Sequence, residues 1–224
     1  LAFYGVKDPQ VREEFLALAR RTNTSAWWRK YGDLLPSWFD MRIGLEEAAS
    51  SMRIYEVQFI PGLLQTADYA QAAIRLGYPT ASEEENARRF ELRMARQKLL
   101  TRPDAPKLWV VLDEAALRRP IGGAEVLRHQ LRHLLEVSDL PNVTLQVIPF
   151  RISGYAAAGG PITIMRFGEP DLPDIVYLEQ LSGATYLEKP EDVENYKLIM
   201  DRLSVAAEWR PGSMALIERI IREI

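Results

Sequence analysis

The spacing of apolar residues changes near the middle of this 224-residue chain, and that change limits the possible folds more than any other feature. Before residue 105, apolar side chains recur every three or four positions, which is typical of amphipathic helices. After it, short runs rich in valine and isoleucine are separated by turn residues, which is typical of strands. The sequence therefore predicts an α+β fold: an N-terminal helical region, then a mixed sheet of about five strands with a crossover helix, then two C-terminal helices.

Four helices are predicted in the N-terminal half. They cover residues 8–21, 36–52, 66–75 and 82–101. Thr66 is a suitable N-cap for the third, and Ser82 with Glu85 has the spacing of a capping box at the start of the fourth. Residues 54–60 are β-branched, aromatic or polar and precede Pro61-Gly62, so an extended segment ending in a turn is predicted there.

The C-terminal half contains the predicted sheet. Its strands are expected at residues 108–112, 143–150, 162–167, 175–181 and 184–188. A helix over residues 125–137 joins the first two, which predicts a parallel pair, whereas short turns predict that the last three are antiparallel. One helix is expected to start at Pro190 and another to be capped by Ser213. We divide the chain into residues 1–104 and 105–224, packed as one unit.

Composition excludes several classes of function. The chain has 28 basic and 31 acidic side chains, a net charge of −3, so this segment alone lacks the positive surface that nucleic-acid binding needs. It has no cysteine, which excludes disulfides, thiolate nucleophiles and thiolate metal ligands. No apolar run has the length of a membrane span or a signal-peptide core, and we expect a cytoplasmic protein that does not bind membranes.

The two histidines have the spacing of a metal-binding pair but are predicted to be surface residues. His129 and His133 are four positions apart on one helix. Leucines at 127, 131, 134 and 135 define the buried side of that helix, and no third ligand has a matching position. We therefore predict no metal, no cofactor and no enzymatic activity.

Acidic and tyrosine side chains are predicted to line one surface of the sheet. Tyr177 and Glu179 alternate along one strand, and Tyr186 and Glu188 along the next, so each pair shares a face. Asp113 and Glu114 follow another strand. A pair of these carboxylates could act as general acid and base, or each could be a structural acid with its own partner.

A row of arginines follows one side of the fourth predicted helix. Arg89, Arg93 and Arg96 are four and three positions apart, which places them on one face. They would suit carboxylates such as Glu179 or Glu188, a phosphate, or an acidic partner. The alternative is a solvated charged face.

Aromatic residues are concentrated before the second predicted helix. Trp27, Trp28 and Trp38 lie close together in the chain, with Tyr31 and Phe39. They could form a small secondary core, or a surface on which tryptophans anchor another protein chain.

Several phrases resemble the C-terminal domain of the actinobacterial Xre-type, WhiJ-like, antitoxin-like helix-turn-helix transcription regulators. The phrases occupy residues 1–6, 27–38, 55–66, 69–70, 96–97, 112–118, 141–147 and 186–193. The most specific are Pro-Gly-Leu-Leu-Gln-Thr at residues 61–66 and Asp-Glu-Ala-Ala-Leu-Arg at residues 113–118.

The resemblance implies a regulatory domain that senses a small-molecule effector or binds a small protein encoded by the neighbouring gene. In such regulators a helix-turn-helix head precedes the position of Leu1, and we expect a homodimer that contacts DNA only through that head. The alternative is a small-molecule enzyme with Glu114 or Glu179 as the base.

The expected binding residues combine the polar positions of these phrases with the sheet surface. They are Tyr55, Glu56, Gln65, Arg96, Gln97, Asp113, Glu114, Arg118, Tyr177, Glu179, Tyr186 and Glu188, with Trp27, Trp28 and Trp38 as partner-surface aromatics. Arg96, Gln97, Asp113 and Glu114 are expected to form one polar cluster.

Overall fold

The computed structural model describes residues 26–152 and 160–224. These residues form seven α-helices and a six-stranded mixed sheet, which confirms the predicted α+β class. The helices are α1 Ser37–Ala48, α2 Ala67–Gly77, α3 Glu83–Gln97, α4 Glu114–Arg118, α5 Ala124–Val137, α6 Pro190–Ala206 and α7 Arg210–Glu223. The strands are β1 Ala49–Glu56, β2 Lys107–Asp113, β3 Val143–Ile148, β4 Ile162–Phe167, β5 Ile175–Gln180 and β6 Gly183–Leu187. Short 3-10 helices cover Trp27–Tyr31, Gly62–Leu64 and Lys98–Leu100. The helix predicted at residues 8–21 lies outside the described residues.

The six strands are arranged in the order β3-β2-β1-β4-β5-β6. β2 and β3 are parallel, as the intervening helix predicted. β4, β5 and β6 are antiparallel neighbours, as their short connections predicted. β1 lies between the two groups and pairs in parallel with β2 and in antiparallel with β4.

The prediction of a helix over residues 36–52 was wrong at its C-terminal end, and the extended segment predicted over residues 54–60 covers only the last three residues of the sixth strand, β1. α1 ends at Ala48 and β1 begins at the next residue. Within β1, the side chains of Met52 and Ile54 are both buried and point to the same face of the sheet. Strand geometry is favoured here because β2 and β4 supply hydrogen bonds on both sides of β1.

The two faces of the sheet are covered unequally. The face that carries Met52 and Ile54 packs in the main core with residues of α1, α2, α5 and α7, and we name it the broad face. The opposite face, which carries Tyr55, packs against α6 through residues such as Met200 and Leu203. Burial on both faces explains why β2 is continuously apolar from Leu108 to Leu112.

Caps predicted from sequence start two of the helices. The hydroxyl of Thr66 accepts from the backbone N–H of Tyr69 at the start of α2. Ser82 and Glu85 form the complete capping box at the start of α3.

Ser213 does not cap the last helix, in contrast to the prediction. α7 begins three residues earlier, at Arg210, and Ser213 lies in its first turn. This buried hydroxyl donates to the carbonyl oxygen of Glu208 (2.8 Å) and accepts from the backbone N–H of Val147 (2.9 Å). Ser213 therefore joins α7 to the end of β3 instead of satisfying the N–H groups of its own helix.

A buried glutamine fixes the turn between β1 and α2. The amide of Gln130 on α5 donates to the carbonyl oxygen of Leu64 and accepts from the backbone N–H of Thr66, both at 2.7 Å. Its side chain is fully buried. The turn after Pro61-Gly62 is thus bound to a helix of the main core by two hydrogen bonds.

We predict that Gln130→Ala lowers the free energy of unfolding by about 2 to 3 kcal/mol, because a buried N–H and a buried C=O both lose their partners. Urea denaturation followed by circular dichroism measures this change. The matched control is Gln71→Ala, a change of the exposed glutamine on α2, for which we expect less than about 0.5 kcal/mol. Equal effects of the two substitutions would contradict the role given to Gln130.

None of the helices within residues 26–152 and 160–224 has both the length and the apolar character needed to cross a membrane.

Candidate functional site

The polar residues that could form a site meet at one edge of the sheet. β1, β2, β3 and β5 all run in the same direction, so their C-terminal ends lie along this edge. Glu56 is the last residue of β1, and Glu179 is the second-last residue of β5. Both side chains point toward the broad face, where α1 also packs.

We name this group of charged and polar side chains on the broad face the strand-edge cluster. It consists of Arg42, Glu46, Glu56, Gln65, Arg93, Arg96, Tyr177 and Glu179. The members come from α1, β1, β5, α3 and the turn before α2.

The strongest contact in the strand-edge cluster is a buried ion pair. Arg96 Nη2 lies 2.7 Å from Glu46 Oε2 and 3.1 Å from Oε1, and Arg96 Nε lies 3.3 Å from Oε1. Both side chains are buried, and the guanidinium carbon of Arg96 is 5.1 Å from the centre of the Phe39 ring. This fork-shaped contact joins α1 to α3.

Arg42 connects that ion pair to the sheet. Its Nε lies 3.6 Å from Glu46 Oε2, and its guanidinium carbon lies 4.2 Å from the centre of the Tyr177 ring. Burial by itself would lower the pKa of Arg42, but the charge of Glu46 together with Tyr177 and Glu179 outweighs burial and the pKa is raised. Tyr177 in turn donates a 2.7 Å hydrogen bond to Glu179. A positive charge is therefore held between two carboxylates and a tyrosine ring.

The shared surface predicted for the tyrosines and Glu179 is confirmed. The ring centres of Tyr177 and Tyr186 are 5.1 Å apart on neighbouring strands. Burial raises the pKa of Tyr177, so its hydroxyl remains protonated and able to donate to Glu179. Glu188 follows the end of β6 and is partly buried.

The predicted residues Gln65 and Gln97 hold the turn that carries the Pro-Gly-Leu-Leu-Gln-Thr phrase. The amide of Gln65 donates to the carbonyl oxygen of Ile60 (2.7 Å) and accepts from Arg93 Nη1 (2.9 Å). The amide of Gln97 donates to the carbonyl oxygens of Gly62 (2.9 Å) and Gln65 (2.7 Å). The turn is therefore attached to α3 and places Gln65 beside Arg93.

Two members of the strand-edge cluster have no opposite charge in contact. Within the described part of the chain, Glu56 makes no hydrogen bond or ion pair, and Arg93 contacts only the neutral amide of Gln65. Burial raises the pKa of Glu56 to about 8 despite attraction by Arg42, and Glu179 adds to the rise. Burial, together with the neighbouring charge of Arg96, lowers the pKa of Arg93 to about 10. Glu56 is thus mostly protonated at neutral pH, and Arg93 remains charged.

The prediction that Asp113 and Glu114 share a polar cluster with Arg96 and Gln97 was wrong. Asp113 and Glu114 have different partners and form a second group. Asp113 caps α4 by accepting from the backbone N–H of Ala115 (2.8 Å). Glu114 accepts from Arg118 Nε (2.6 Å) and from the backbone N–H of Phe150 (2.8 Å). The Asp-Glu-Ala-Ala-Leu-Arg phrase therefore fixes α4 against the end of β3.

The same group extends to the last helix. Arg118 Nη1 lies 2.7 Å from Glu223 Oε2 on α7. Tyr55, another predicted site residue, is fully buried on the face covered by α6 and does not share the surface of Glu56. The contact of Arg118 with α7 and the burial of Tyr55 beneath α6 were not predicted from the sequence.

The three predicted aromatic residues have different surroundings. Trp28 is buried in a small core with Tyr31, Ile43 and Leu92, which matches the secondary-core interpretation. Trp27 is partly buried beside an open groove of about 580 Å³ and donates to Glu47 (2.9 Å). Trp38 packs partly buried against the main core.

The backbone of Trp38 also contacts the far edge of the sheet. Its carbonyl oxygen accepts a 2.5 Å hydrogen bond from the hydroxyl of Tyr186 on β6. The start of α1 is thereby attached to the edge strand, while Arg42 and Glu46 lie one and two turns further along the same helix.

Sequence reasoning missed Arg42 and Glu46. Their i,i+4 spacing is the usual spacing of an exposed helical ion pair, and nothing local showed that Glu46 would be buried. A weak signal existed, because Glu46 follows the buried Leu45 and lies three residues before the buried Ala49. A carboxylate so close to core positions requires a buried partner, here Arg96.

Metal ligation receives no support from the described residues. Residues 26–152 and 160–224 contain no group of three or more histidine or acidic side chains arranged to hold a metal ion. His129 is exposed on α5, and the Nδ1 of His133 lies 3.6 Å from Glu136 Oε2.

Comparison with known families accounts for most of the chain. Residues 40–219 match the family described as "Domain of unknown function (DUF5753)". The chain belongs to the DUF5753 family. All eight residues of the strand-edge cluster lie within the matched part of this DUF5753 domain. No curated protein and no solved structure matches the chain.

We predict that Glu56→Gln stabilises the DUF5753 domain increasingly as the pH rises from about 5 to 8. The pKa of Glu56 is raised to about 8 in the folded protein and is ordinary when unfolded, so the folded state retains a proton that the unfolded state loses. The wild type should therefore lose stability relative to the variant by up to about 1 kcal/mol per pH unit in this window.

Urea midpoints at pH 5, 6.5 and 8 test this dependence on pH. Glu218→Gln, a change at an exposed position on α7, is the control and should show no such trend. A stability difference between wild type and Glu56→Gln that is the same at pH 5 and pH 8 would rule out the raised pKa.

Proposed function

We propose that this DUF5753 chain is the regulatory domain of a helix-turn-helix transcription regulator. In this proposal the strand-edge cluster binds an effector or supports partner binding, and the bound state controls DNA binding by an upstream head. The resemblance of the phrases at residues 61–66 and 113–118 to such regulators supports the regulatory role. The location of the binding site rests on one observation, described next.

That observation is the presence of Glu56 and Arg93 in a partly desolvated cluster without opposite charges in contact. Removing a charge from water is unfavourable unless a partner replaces the lost hydration. Apolar side chains at these positions would be expected to give a higher free energy of unfolding. Ionisable groups whose pKa values are shifted by burial and that have no oppositely charged side chain in contact are typical of binding sites.

The arrangement favours binding over catalysis by the acids first considered as bases. Both oxygens of Glu114 already accept hydrogen bonds, from Arg118 and from the backbone of Phe150. Glu179 accepts from Tyr177 and is exposed to solvent. Neither carboxylate is held ready to take a proton from a bound molecule.

Acid–base catalysis remains the second candidate function because of Glu56. Its pKa of about 8 is close to neutral, as a general acid or base requires. The described residues show no nucleophile activated by an adjacent base, so a hydrolytic enzyme with a covalent intermediate receives no support.

α1 offers a physical route from the cluster toward the N-terminus. Arg42 and Glu46 belong to the strand-edge cluster, whereas Trp38 at the start of the same helix is attached to Tyr186. A ligand that changes the contacts of Arg42 would therefore act on the first α-helix of the described residues. Such coupling requires that the ligand bind two states of the regulator with different affinity.

We predict that residues 1–224 alone do not bind promoter DNA at physiological salt, whereas the regulator with its head does. The net charge of −3 provides no general attraction to phosphates. Fluorescence anisotropy with the labelled promoter of the regulator's own gene measures both proteins. Sequence-selective binding by residues 1–224 at micromolar concentration would contradict the proposal that only the head binds DNA.

We predict that Trp38→Ala in the full-length regulator weakens its response to the neighbouring-gene protein but leaves operator affinity of the free regulator nearly intact. Truncation removes the packing of the Trp38 side chain against the main core, and because this side chain is only partly buried the cost is below the about 3 to 5 kcal/mol of a fully buried tryptophan. Operator binding is titrated with and without the neighbouring protein, after circular dichroism confirms folding.

Trp209→Ala is the matched control, because Trp209 is 83% exposed and lies outside the strand-edge cluster. It should leave both operator affinity and the partner response unchanged. A folded Trp38→Ala variant with a normal response would show that the signal does not depend on the packing of the Trp38 side chain.

A further inference from the structure

The three arginines along one side of α3 do not have equivalent partners. Arg96 is neutralised by Glu46 in the buried ion pair. Arg93 and Arg89 have no carboxylate in contact among the described residues. This difference is unexpected for a solvated charged face, where each side chain would reach water.

Arg89 is held in place by an aromatic ring and lacks polar partners. Its guanidinium carbon lies 4.2 Å from the centre of the Tyr78 ring. Its Nε and Nη1 atoms are buried and have no hydrogen-bond partner in the described part of the chain. Stacking on Tyr78 fixes the plane of the guanidinium group but satisfies none of its N–H donors.

Arg93 retains most of its hydrogen-bonding capacity. It uses Nη1 to donate to Gln65 (2.9 Å), and four further N–H donors of its guanidinium are left over. Arg89 and Arg93 are separated by one helical turn, so their Cβ atoms are about 5 to 6 Å apart. At this spacing a single bound group can bridge two arginine side chains on one side of a helix.

The acidic side chains nearest to these arginines already have other partners. Asp33 accepts two hydrogen bonds from Arg88, at 2.6 and 2.7 Å. Glu85 accepts from the backbone N–H of Ser82 (2.8 Å) in the capping box. Glu179 attracts Arg93 from a distance without an ion pair and accepts from Tyr177. Two positive charges on α3 are left without direct compensation.

We propose that Arg89 and Arg93, flanked by Tyr78 and Gln65, form a binding site for the phosphate group of a phosphorylated small molecule. This deepens the proposed function, on which it rests, by assigning the chemical class of the effector. A phosphate dianion matches two positive charges and offers enough oxygens for two guanidinium forks. A carboxylate would compensate only one of them.

The surrounding charges also orient the ligand. Glu179 lies on the side of Arg93 that faces the sheet and repels an anion placed there. The phosphate therefore binds between Arg93 and Arg89, and the rest of the molecule extends toward the strand-edge cluster. There the protonated carboxyl of Glu56 offers a hydrogen-bond donor to a neutral or acceptor group.

The test uses residues 1–224 with inorganic phosphate, phenyl phosphate and acetate as probes, in calorimetric titrations at constant ionic strength. We expect phenyl phosphate to bind at least as well as inorganic phosphate, and acetate at least tenfold more weakly. The double variant Arg89→Gln/Arg93→Gln should lose at least tenfold in affinity for both phosphates. The matched control Arg222→Gln, which changes an exposed arginine on α7 that lies 4.0 Å from Glu218, should stay within twofold of wild type.

A double variant that binds phosphate as well as the wild type would overturn the site, and so would acetate affinity equal to that of phosphate. Arg89→Lys provides a second check because it keeps the charge but removes the fork, and a severalfold loss is expected. The thermal midpoint of the double glutamine variant without ligand should be equal to or higher than that of wild type, since uncompensated charges are removed. A phosphate affinity unchanged in Arg89→Lys would also count against the site.

The site and the proposed function fail in different ways. In one outcome, residues 1–224 bind phosphate but phenyl phosphate does not change the operator affinity of the full-length regulator. This result would support the site and contradict its regulatory use. Operator binding that responds to the neighbouring protein while residues 1–224 do not bind phosphate would overturn the site and leave the regulatory function standing.

Discussion

The pairing of β1 with two strands of opposite direction is the constraint on which the rest of the structure depends. β2 and β3 run parallel to β1, whereas β4 runs antiparallel to it. Since β5 again runs with β1, the ends of four strands meet at one edge, and Glu56 and Glu179 become neighbours there. α1 leads into β1 without a loop, so the same constraint places Arg42 and Glu46 over the broad face.

The buried ion pair between Arg96 and Glu46 determines which other charges lack partners. Such a pair adds little stability compared with apolar side chains, but loss of one partner is costly because the other charge is then stranded. The carboxylate of Glu46 lies 2.7 Å from Arg96 but 3.6 Å from Arg42, so its hydrogen bonds go to Arg96. Arg93, three residues before Arg96, therefore has to rely on the amide of Gln65. Along one helix, therefore, Arg96 has a carboxylate partner and Arg93 has a neutral amide in its place.

The sequence predicted the structural features that depend only on residues close together in the chain. The caps at Thr66 and Ser82 and the shared face of Tyr177 and Glu179 follow from fixed spacings, and all are present. Most of β1 was missed because apolar residues continue at helical spacing to Met52, and strand geometry there depends on β2 and β4, which are distant in sequence. The ion pair of Glu46 with Arg96 and the contact of Glu114 with the backbone of Phe150 were unpredictable for the same reason, since both join parts of the chain that are distant in sequence.

The position of β1 also has a consequence for the order in which the protein is made. Translation releases β1 long before β4, and the hydroxyl that binds the start of α1 belongs to Tyr186, 148 residues after Trp38. Until residues 162–167 leave the ribosome, one edge of β1, whose Met52, Ile54 and Tyr55 are buried in the folded protein, has no neighbour. A nascent chain that stalls in this interval exposes unpaired backbone N–H and C=O groups, the kind of strand edge that promotes aggregation.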